Sequence, residues 1–214
     1  MTTGTASSVL SVITSAVFSG GRLQVDGHVV AETNHTVTGE IADDLYGQVQ
    51  MDYPKFYKED LHCKAGMLTA HVLLRNQSLP DHYRPEEIAV VLMNRSGSLD
   101  ADLKYQATVH NIPSPALFVY TLPNILIGEI CIRYGFKGEN VFLVRESFDA
   151  ELLTQTVTQL FNEGTVKVCL CGWCEATAQQ HECILWLVGE TNNASADKAF
   201  TTENCKTQYL NNHG

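Results

Sequence analysis

The chain has 214 residues, 44% of them hydrophobic and 18% charged, with 14 Lys/Arg against 24 Asp/Glu and a formal net charge of −10. This is the composition of a globular domain with enough chain to bury a sizeable core. An acidic chain without a basic stripe is unsuited to bind phosphates, so we expect no nucleic-acid partner. The 7 cysteines are an odd number scattered through apolar stretches, which indicates reduced, buried thiols rather than a disulfide framework.

The first apolar run, residues 9–18, has no Lys or Arg before it, as a secretory signal peptide would require, so it predicts a buried strand. Four further short apolar runs predict strands in the same way. The longest apolar region, residues 115–132, is interrupted by Pro123, Asn124 and Glu129 and is not expected to span a membrane. We expect a cytoplasmic protein. The five predicted strands are residues 9–18, 87–93, 140–145, 166–172 and 182–189.

Segments with helical periodicity separate these strands. Residues 53–74 carry apolar side chains at helical spacing, and residues 122–134 are apolar on so many sides that they predict a buried helix or a subunit interface. A third helix follows Arg145 and ends at Gly164. This alternation indicates one α/β domain over residues 1–190. Residues 191–214 are polar and predict a disordered tail.

The cluster Cys169-x-Cys171-Gly-Trp-Cys174 has two interpretations. A zinc site needs four ligands, and only Cys183 lies nearby in the sequence. In a strand, Cys169 and Cys171 point to the same face, so two small buried hydrophobic side chains explain the pattern as well. The 8 histidines fall in no zinc-protease motif, and the sequence contains no glycine-rich nucleotide motif. We therefore expect neither a metal nor a cofactor.

The segment from Val141 to Ala150 predicts a strand that turns abruptly into a helix, with Ser147 near the helix N-terminus. Backbone N–H groups at that position stabilise negative charge, which suits a nucleophile. A serine, however, stays protonated unless a base removes its proton, and Glu146 and Asp149 would oppose an alkoxide. The alternative interpretation is that Ser147 caps the helix.

Two blocks around this segment resemble a known family. They are Ser114-Pro-Ala-Leu-Phe-Val-Tyr-Thr-Leu-Pro-Asn124 and Gly128-Glu-Ile-Cys-Ile-Arg-Tyr-Gly-Phe-Lys-Gly-Glu-Asn140. The β-ketoacyl-ACP synthases have a similar Ser-x-x-Asn helix and an Ile-Arg-Tyr-Gly-x-Lys-Gly-Pro-Asn turn before the strand that delivers their catalytic cysteine. The resemblance covers residues 9–190, including the segments 93–100 and 170–175.

The differences from this family concern its catalytic groups. Ser147 stands at the position of the nucleophilic cysteine, and Glu139 replaces the proline of the turn. Ketosynthases are about twice as long, and their catalytic histidines lie in the second half, which this sequence lacks. The resemblance therefore implies that the chain alone does not catalyse condensation.

The resemblance implies an α/β fold like the N-terminal half of the thiolase fold, with a mixed five-stranded sheet in the order 3-2-1-4-5 and helices on both faces. It also implies a subunit of the chain-length-factor type that forms a heterodimer with an active ketosynthase in fatty-acid or aryl-polyene/flexirubin-type polyketide biosynthesis. The expected interface residues are Val141, Phe142, Leu143, Val144 and Arg145. The expected acyl-pocket residues, grouped around Ser147, are Phe118, Thr121, Asn124 and Phe148.

Three further expectations complete the interpretation. Acyl carrier proteins are acidic, as is this chain, so a carrier is expected to dock mainly on the ketosynthase partner. A first alternative function is a serine acyltransferase or thioesterase that uses Ser147. A second is a homodimeric acyl-binding scaffold in which the strand over residues 140–145 pairs with its own copy.

Overall fold

The protein is described here by a computed structural model that covers residues 9–110, 112–192 and 195–213. Its centre is a mixed sheet of seven strands in the order β3-β2-β1-β7-β6-β4-β5. Strands β4, β5 and β6 are mutually parallel, whereas β7 is antiparallel to both β6 and β1. The strands are β1 (Val9–Ser19), β2 (Arg22–Val25), β3 (His28–Glu32), β4 (Ile88–Asn94), β5 (Asn140–Val144), β6 (Val168–Ala176) and β7 (His181–Thr191).

The predicted α/β class is confirmed, but the predicted sheet differs in strand number and order. All five predicted strands form, and numbered among themselves they lie in the order 3-2-4-5-1 rather than 3-2-1-4-5. The first strand pairs with β7 over nearly its whole length instead of lying next to β4. These pairings join residues that are far apart in the chain, and an apolar run does not specify its partner.

The two additional strands form two successive hairpins, β1 with β2 and β2 with β3. The turns consist of Gly20–Gly21 and Asp26–Gly27, and all four residues have positive φ angles between 48° and 78°. Such two-residue turns match the twist of antiparallel strands and are typical of Gly-Gly and Asp-Gly pairs. The sequence signal for these hairpins therefore lies in the Gly-Gly and Asp-Gly turns and not in the apolar runs.

Helices cover both faces of the sheet. One face packs against α1 and α2 and carries α6, and α2 is buried along almost its whole length. The other face packs against α7 and α8. The helices are α1 (Thr38–Gln48), α2 (Leu61–Leu74), α3 (Leu79–His82), α4 (Leu99–Val109), α5 (Pro115–Val119), α6 (Ile125–Tyr134), α7 (Ala150–Asn162) and α8 (Thr202–His213).

The predicted helices form with shifted bounds. Residues 53–74 divide into a short 3-10 turn and α2, whose N-cap is Asp60. Helix α6 begins at Ile125, and its Ile132 is 74% exposed, so α6 is not buried on all sides within this chain. Helix α7 ends before Gly164, which has a φ of +86°.

The segment expected to be a disordered tail is folded where the structure describes it. Phe200 and Cys205 are buried against the sheet, and the Phe200 N–H donates to the carbonyl of Leu10 at 2.9 Å. The Trp186 indole donates to the side chain of Gln208 at 2.6 Å. A few widely spaced apolar residues thus anchor an otherwise polar helix, which is why average composition did not predict it.

Among the residues described, no helix combines the length and the apolar character needed to cross a membrane.

Candidate functional site

The candidate site lies where β4 and β5 end and α7 begins. These strands are adjacent and parallel, with Asn94 opposite Val144, so the segments that follow them emerge at the same edge of the sheet. This is the edge at which open α/β sheets place their binding sites.

The segment that carries Ser147 connects β5 to α7. Ser147 is exposed, and it lines an open cavity of about 660 Å³ between the start of α7 and α8. The helix is capped by Asp149, whose carboxylate accepts a hydrogen bond from Leu152 N at 3.0 Å. The alternative in which Ser147 is the cap is therefore wrong. Asp149 also pairs with Arg145 at 3.2 Å.

The surroundings of Ser147 do not activate a serine. Three carboxylates, Glu146, Asp149 and Glu151, line the same cavity and outnumber its two cations, Arg145 and Lys206, so its net charge does not favour an alkoxide. Within the described residues, no histidine lines this cavity or forms a hydrogen bond to Ser147. A general base in hydrogen-bond reach is what a serine nucleophile needs.

Phe148 is directed away from the other predicted pocket residues. Its ring lies 4.5 Å from that of Tyr209 in α8 and 5.8 Å from Trp186, within the core under α7 and α8. The Tyr209 hydroxyl and the Trp173 indole both donate to Glu182, at 2.9 and 2.7 Å. Burial and the neighbouring Glu182 raise the pKa of Tyr209. The prediction of a disordered tail missed this contribution from α8.

The remaining predicted pocket residues lie near β5 on the α2 side. Asn124 lines a second cavity, of about 320 Å³, together with Phe142 and Val144. Phe118 packs its ring against Tyr105 at 5.5 Å, and Thr121 donates to the carbonyl of Phe118 at 2.7 Å. Ser147 and Phe148 thus line one cavity and Asn124 lines another, while Phe118 and Thr121 lie in and just after α5. The role of these residues as an acyl pocket stays a prediction.

The predicted interface strand β5 is one edge of the described sheet. It pairs with β4 on one side only, and Val144 is 53% exposed. Val141 and Leu143 pack against the core under α7. Phe142 packs on the opposite face, where the His62 ring lies 5.7 Å away. The strand is therefore anchored from both faces while its outer backbone edge remains open.

A fully buried carboxylate holds the segment after β4. Glu175 accepts hydrogen bonds from the N–H groups of Arg95 and Ser96 at 2.8 and 2.9 Å. The Asn94 side chain binds both the N–H and the carbonyl of Gly97, at 3.0 and 2.8 Å. These contacts fix the path by which the chain leaves β4 towards α4.

A pair of buried acids, Glu59 and Glu129, lies between the start of α2 and α6. Glu129 accepts from the Tyr53 hydroxyl at 2.9 Å and from Lys55 Nζ at 2.7 Å. The carboxylate oxygens of the neighbouring Glu59 are buried, with no hydrogen-bond partner within the described part of the chain. Burial, with a further contribution from Glu129, raises the pKa of Glu59 to about 8. No motif in the sequence marked this pair.

The cysteine cluster belongs to the core. Along β6, Cys169 and Cys171 face the α7 side of the sheet, whereas Cys174 faces the α2 side together with Cys183. Because the three cysteines of the motif lie on opposite faces, they cannot bind one metal ion together. The core-packing interpretation is the one that this geometry supports.

No family model and no curated protein match this sequence. Solved structures do match. "The ishigamide ketosynthase/chain length factor" is 16% identical with a TM-score of 0.64, and the match covers 87% of this chain and 63% of that one. The ketosynthase ApeO in complex with its chain length factor ApeC, from Xenorhabdus doucetiae, is 14% identical with a TM-score of 0.58. The match covers 85% of this chain and 79% of that one.

A third structure is that of AntDE:AntF, a type II PKS acyl-carrier protein in complex with its ketosynthase bound to the hexaketide. It is 12% identical with a TM-score of 0.55, and the match covers 86% of this chain and 63% of that one. The chain therefore has the fold of the ketosynthase and chain-length-factor structures, as the resemblance implied. It spans just under two thirds of the length of the first of these relatives.

Proposed function

We propose that this chain is a non-catalytic, chain-length-factor-type subunit that pairs with an active ketosynthase through strand β5. The pair would act in the cytoplasm, in fatty-acid or aryl-polyene/flexirubin-type polyketide assembly. The observation that carries the proposal combines two features at one edge of the sheet. Strand β5 is open to pairing, and Ser147, which lies just after it, has no histidine base and stands where the resembling ketosynthases have their nucleophilic cysteine.

The open strand supports a protein partner. Asn140–Val144 has no charged residue, and such an uncharged edge invites pairing with another chain. The neighbours with this fold include a ketosynthase in complex with its chain length factor. A partner strand would satisfy the outward backbone groups of β5 and extend the sheet.

The serine acyl-enzyme is not favoured. It would need a base oriented towards Ser147, and no histidine among the described residues lines the cavity of that serine. A homodimer through β5 remains the competing assembly, and the experiment below separates it from the heterodimer.

The decisive experiment co-expresses the tagged chain with each cysteine-containing ketosynthase of its source organism and measures the mass of the purified complex by light scattering. A stoichiometric heterodimer without an acyl adduct on Ser147 supports the proposal. A homodimer that binds none of these ketosynthases would refute it, as would an acyl adduct that is lost in Ser147→Ala.

Val144→Pro tests the role of β5. In the parallel ladder, Arg145 N donates to Asn94 O, and Val90 N donates to Glu139 O. The odd-numbered residues from 139 to 145, which flank and include β5, therefore bond to β4. Because bonding alternates along a strand, the Val144 N–H points outward. Proline at this position removes an outward donor without breaking a β4–β5 hydrogen bond, and we expect at least 10-fold weaker pairing. Val144→Thr keeps the N–H and is the matched control.

The carrier prediction is tested on the assembled pair. Arg133, Lys137 and Arg145 are changed together to glutamine, and carrier binding is measured against assembly. Binding that changes less than about threefold agrees with docking on the partner. Loss of carrier binding with assembly intact would place the carrier on this chain.

A further inference from the structure

Helices α4 and α5 bury very little within their own chain. Of the 11 residues of α4 only Ala101 is buried, and none of the 5 residues of α5 is. An isolated helix of this length is marginal in water, and helices in proteins owe most of their stability to a packed apolar face. This pair of helices therefore lacks the packing that would normally hold it.

The same segment displays an unusual concentration of exposed apolar side chains. Leu103 is 64% exposed and Phe118 54%. Soluble proteins rarely expose large contiguous apolar patches unless these bind something. The exposed large hydrophobic residues between positions 99 and 122 are Leu99, Leu103, Val109, Ile112, Phe118, Val119 and Leu122, and we call them the α4–α5 patch.

Local contacts show that much of the patch is one surface. The Ser98 hydroxyl donates to the carbonyl of Thr121 at 2.9 Å, which brings the next residues, Leu99 and Leu122, to the same place. Leu99 and Leu103 are four residues apart and share a face of α4. Across the hairpin, Phe118 packs on Tyr105.

The patch continues to the open edge of the sheet. Pro123 and Asn124, which follow Leu122 directly, line the 320 Å³ cavity with Phe142 and Val144 of β5. A chain that pairs with β5 therefore arrives next to the α4–α5 patch. Covering both with one partner would remove the exposed apolar surface and the open strand together.

We propose that the α4–α5 patch is the second half of the ketosynthase-binding surface and that α4 and α5 become stably packed only when the ketosynthase covers them. This inference rests on the proposed function, because it assigns the patch to the partner that β5 binds. The partner surface that fits is apolar, since the patch offers few charges besides the Asp100–Lys104 pair and Asp102.

The test uses the ketosynthase that co-purifies with this chain. Hydrogen exchange of the wild-type chain is measured alone and in the complex, and we expect amides of α4 and α5 to exchange at least 10-fold more slowly in the complex. The double variant Leu99→Gln/Leu103→Gln should raise the Kd at least 10-fold. Val29→Gln, a half-exposed aliphatic at the opposite edge of the sheet, should change the Kd less than twofold.

The outcomes separate the two proposals. If the wild-type chain binds the ketosynthase, while exchange in α4 and α5 is unchanged and the double variant binds normally, the patch inference is wrong and the proposed function stands. If no ketosynthase binds, the proposed function fails and the patch inference with it. If the patch is protected in a homodimer and the double variant is monomeric, a second copy is the occupant instead. Hydrogen exchange needs no variant, so a folding defect in the double variant does not prevent a decision.

Discussion

Replacing Glu59 by glutamine should stabilise the protein in alkaline solution and have little effect in acid. The Glu59 carboxyl is buried between α2 and α6 beside Glu129, and its pKa rises from 4.5 to about 8. Between these values the folded state holds a proton that the unfolded state releases. Stability therefore falls as the pH rises from 4.5 to about 8, and the loss is complete above the folded pKa.

The size of the effect follows from the shift. One pKa unit corresponds to about 1.36 kcal/mol, so a shift from 4.5 to about 8 corresponds to about 5 kcal/mol at most. The attraction of Lys55 and Lys64 is already contained in this shift, so Glu59→Gln is expected to gain up to about 5 kcal/mol at pH 8.5. Near pH 4.5 glutamine resembles the protonated acid, and the free energy of unfolding should change by less than about 1 kcal/mol.

Urea denaturation of the wild-type protein and the variant at pH 4.5, 6.5 and 8.5 and constant ionic strength provides the measurement. Other groups titrate in both proteins, so their contributions cancel in the difference. Glu86→Gln, which removes one carboxylate at an exposed position, is the matched control and should change the free energy of unfolding by less than about 0.5 kcal/mol. The reasoning is refuted if Glu59→Gln and the wild type have parallel stability curves, because Glu59 would then ionise as it does in water.

Three further changes test the packing. Gly66→Ala should lower the free energy of unfolding by about 1–2 kcal/mol, because a Cβ there would clash with Leu126 across the α2–α6 contact, with Cδ1 2.6 Å away and Cδ2 closer still. Gly47→Ala, in open space on α1, should instead raise it by up to about 1 kcal/mol, and equal signs in urea titrations would contradict this account. Phe200→Ala should cost about 3 kcal/mol and abolish protection of the α8 amides in hydrogen exchange, whereas unchanged protection would mean that Phe200 does not anchor α8. Burial lowers the pKa of His181, so its contribution to stability is lost as the pH falls below about 6.5; thermal unfolding between pH 5 and 8 should show a weaker acid loss in His181→Gln.

The elements that sequence could predict are those with a strong local signal. The apolar runs of β1 and β4–β7 and the helices α6 and α7 are predicted within a few residues, whereas α2 ends as predicted but begins only at Leu61. The hairpin of β2 and β3 has short strands, and its signal was in the turns, Gly20–Gly21 and Asp26–Gly27. Helix α8 has few anchors, among them Cys205 and Tyr209, within a polar stretch, and it could be recognised only from the sheet face that it covers.

The candidate site was predictable in part, for a similar reason. The position of Ser147 at a strand–helix junction follows from local pattern, and so does the apolar β5 strand. The sheet order does not, because it depends on pairings such as that of β1 with β7. The buried acids Glu59 and Glu129 likewise depend on contacts between segments that no motif encodes, whereas the cap at Asp149 is a local contact to Leu152 N that the sequence could have indicated.

The two edges of the sheet differ in a way that limits how many chains can join. The pairing of strand β3 with β2 contains an irregularity, and its end carries the Arg22–Glu32 ion pair, so this edge resists further strands. Strand β5 at the other end is apolar and open. In the proposed assembly the sheet extends at the β5 edge, and a single partner strand there would complete it, which favours pairs over filaments.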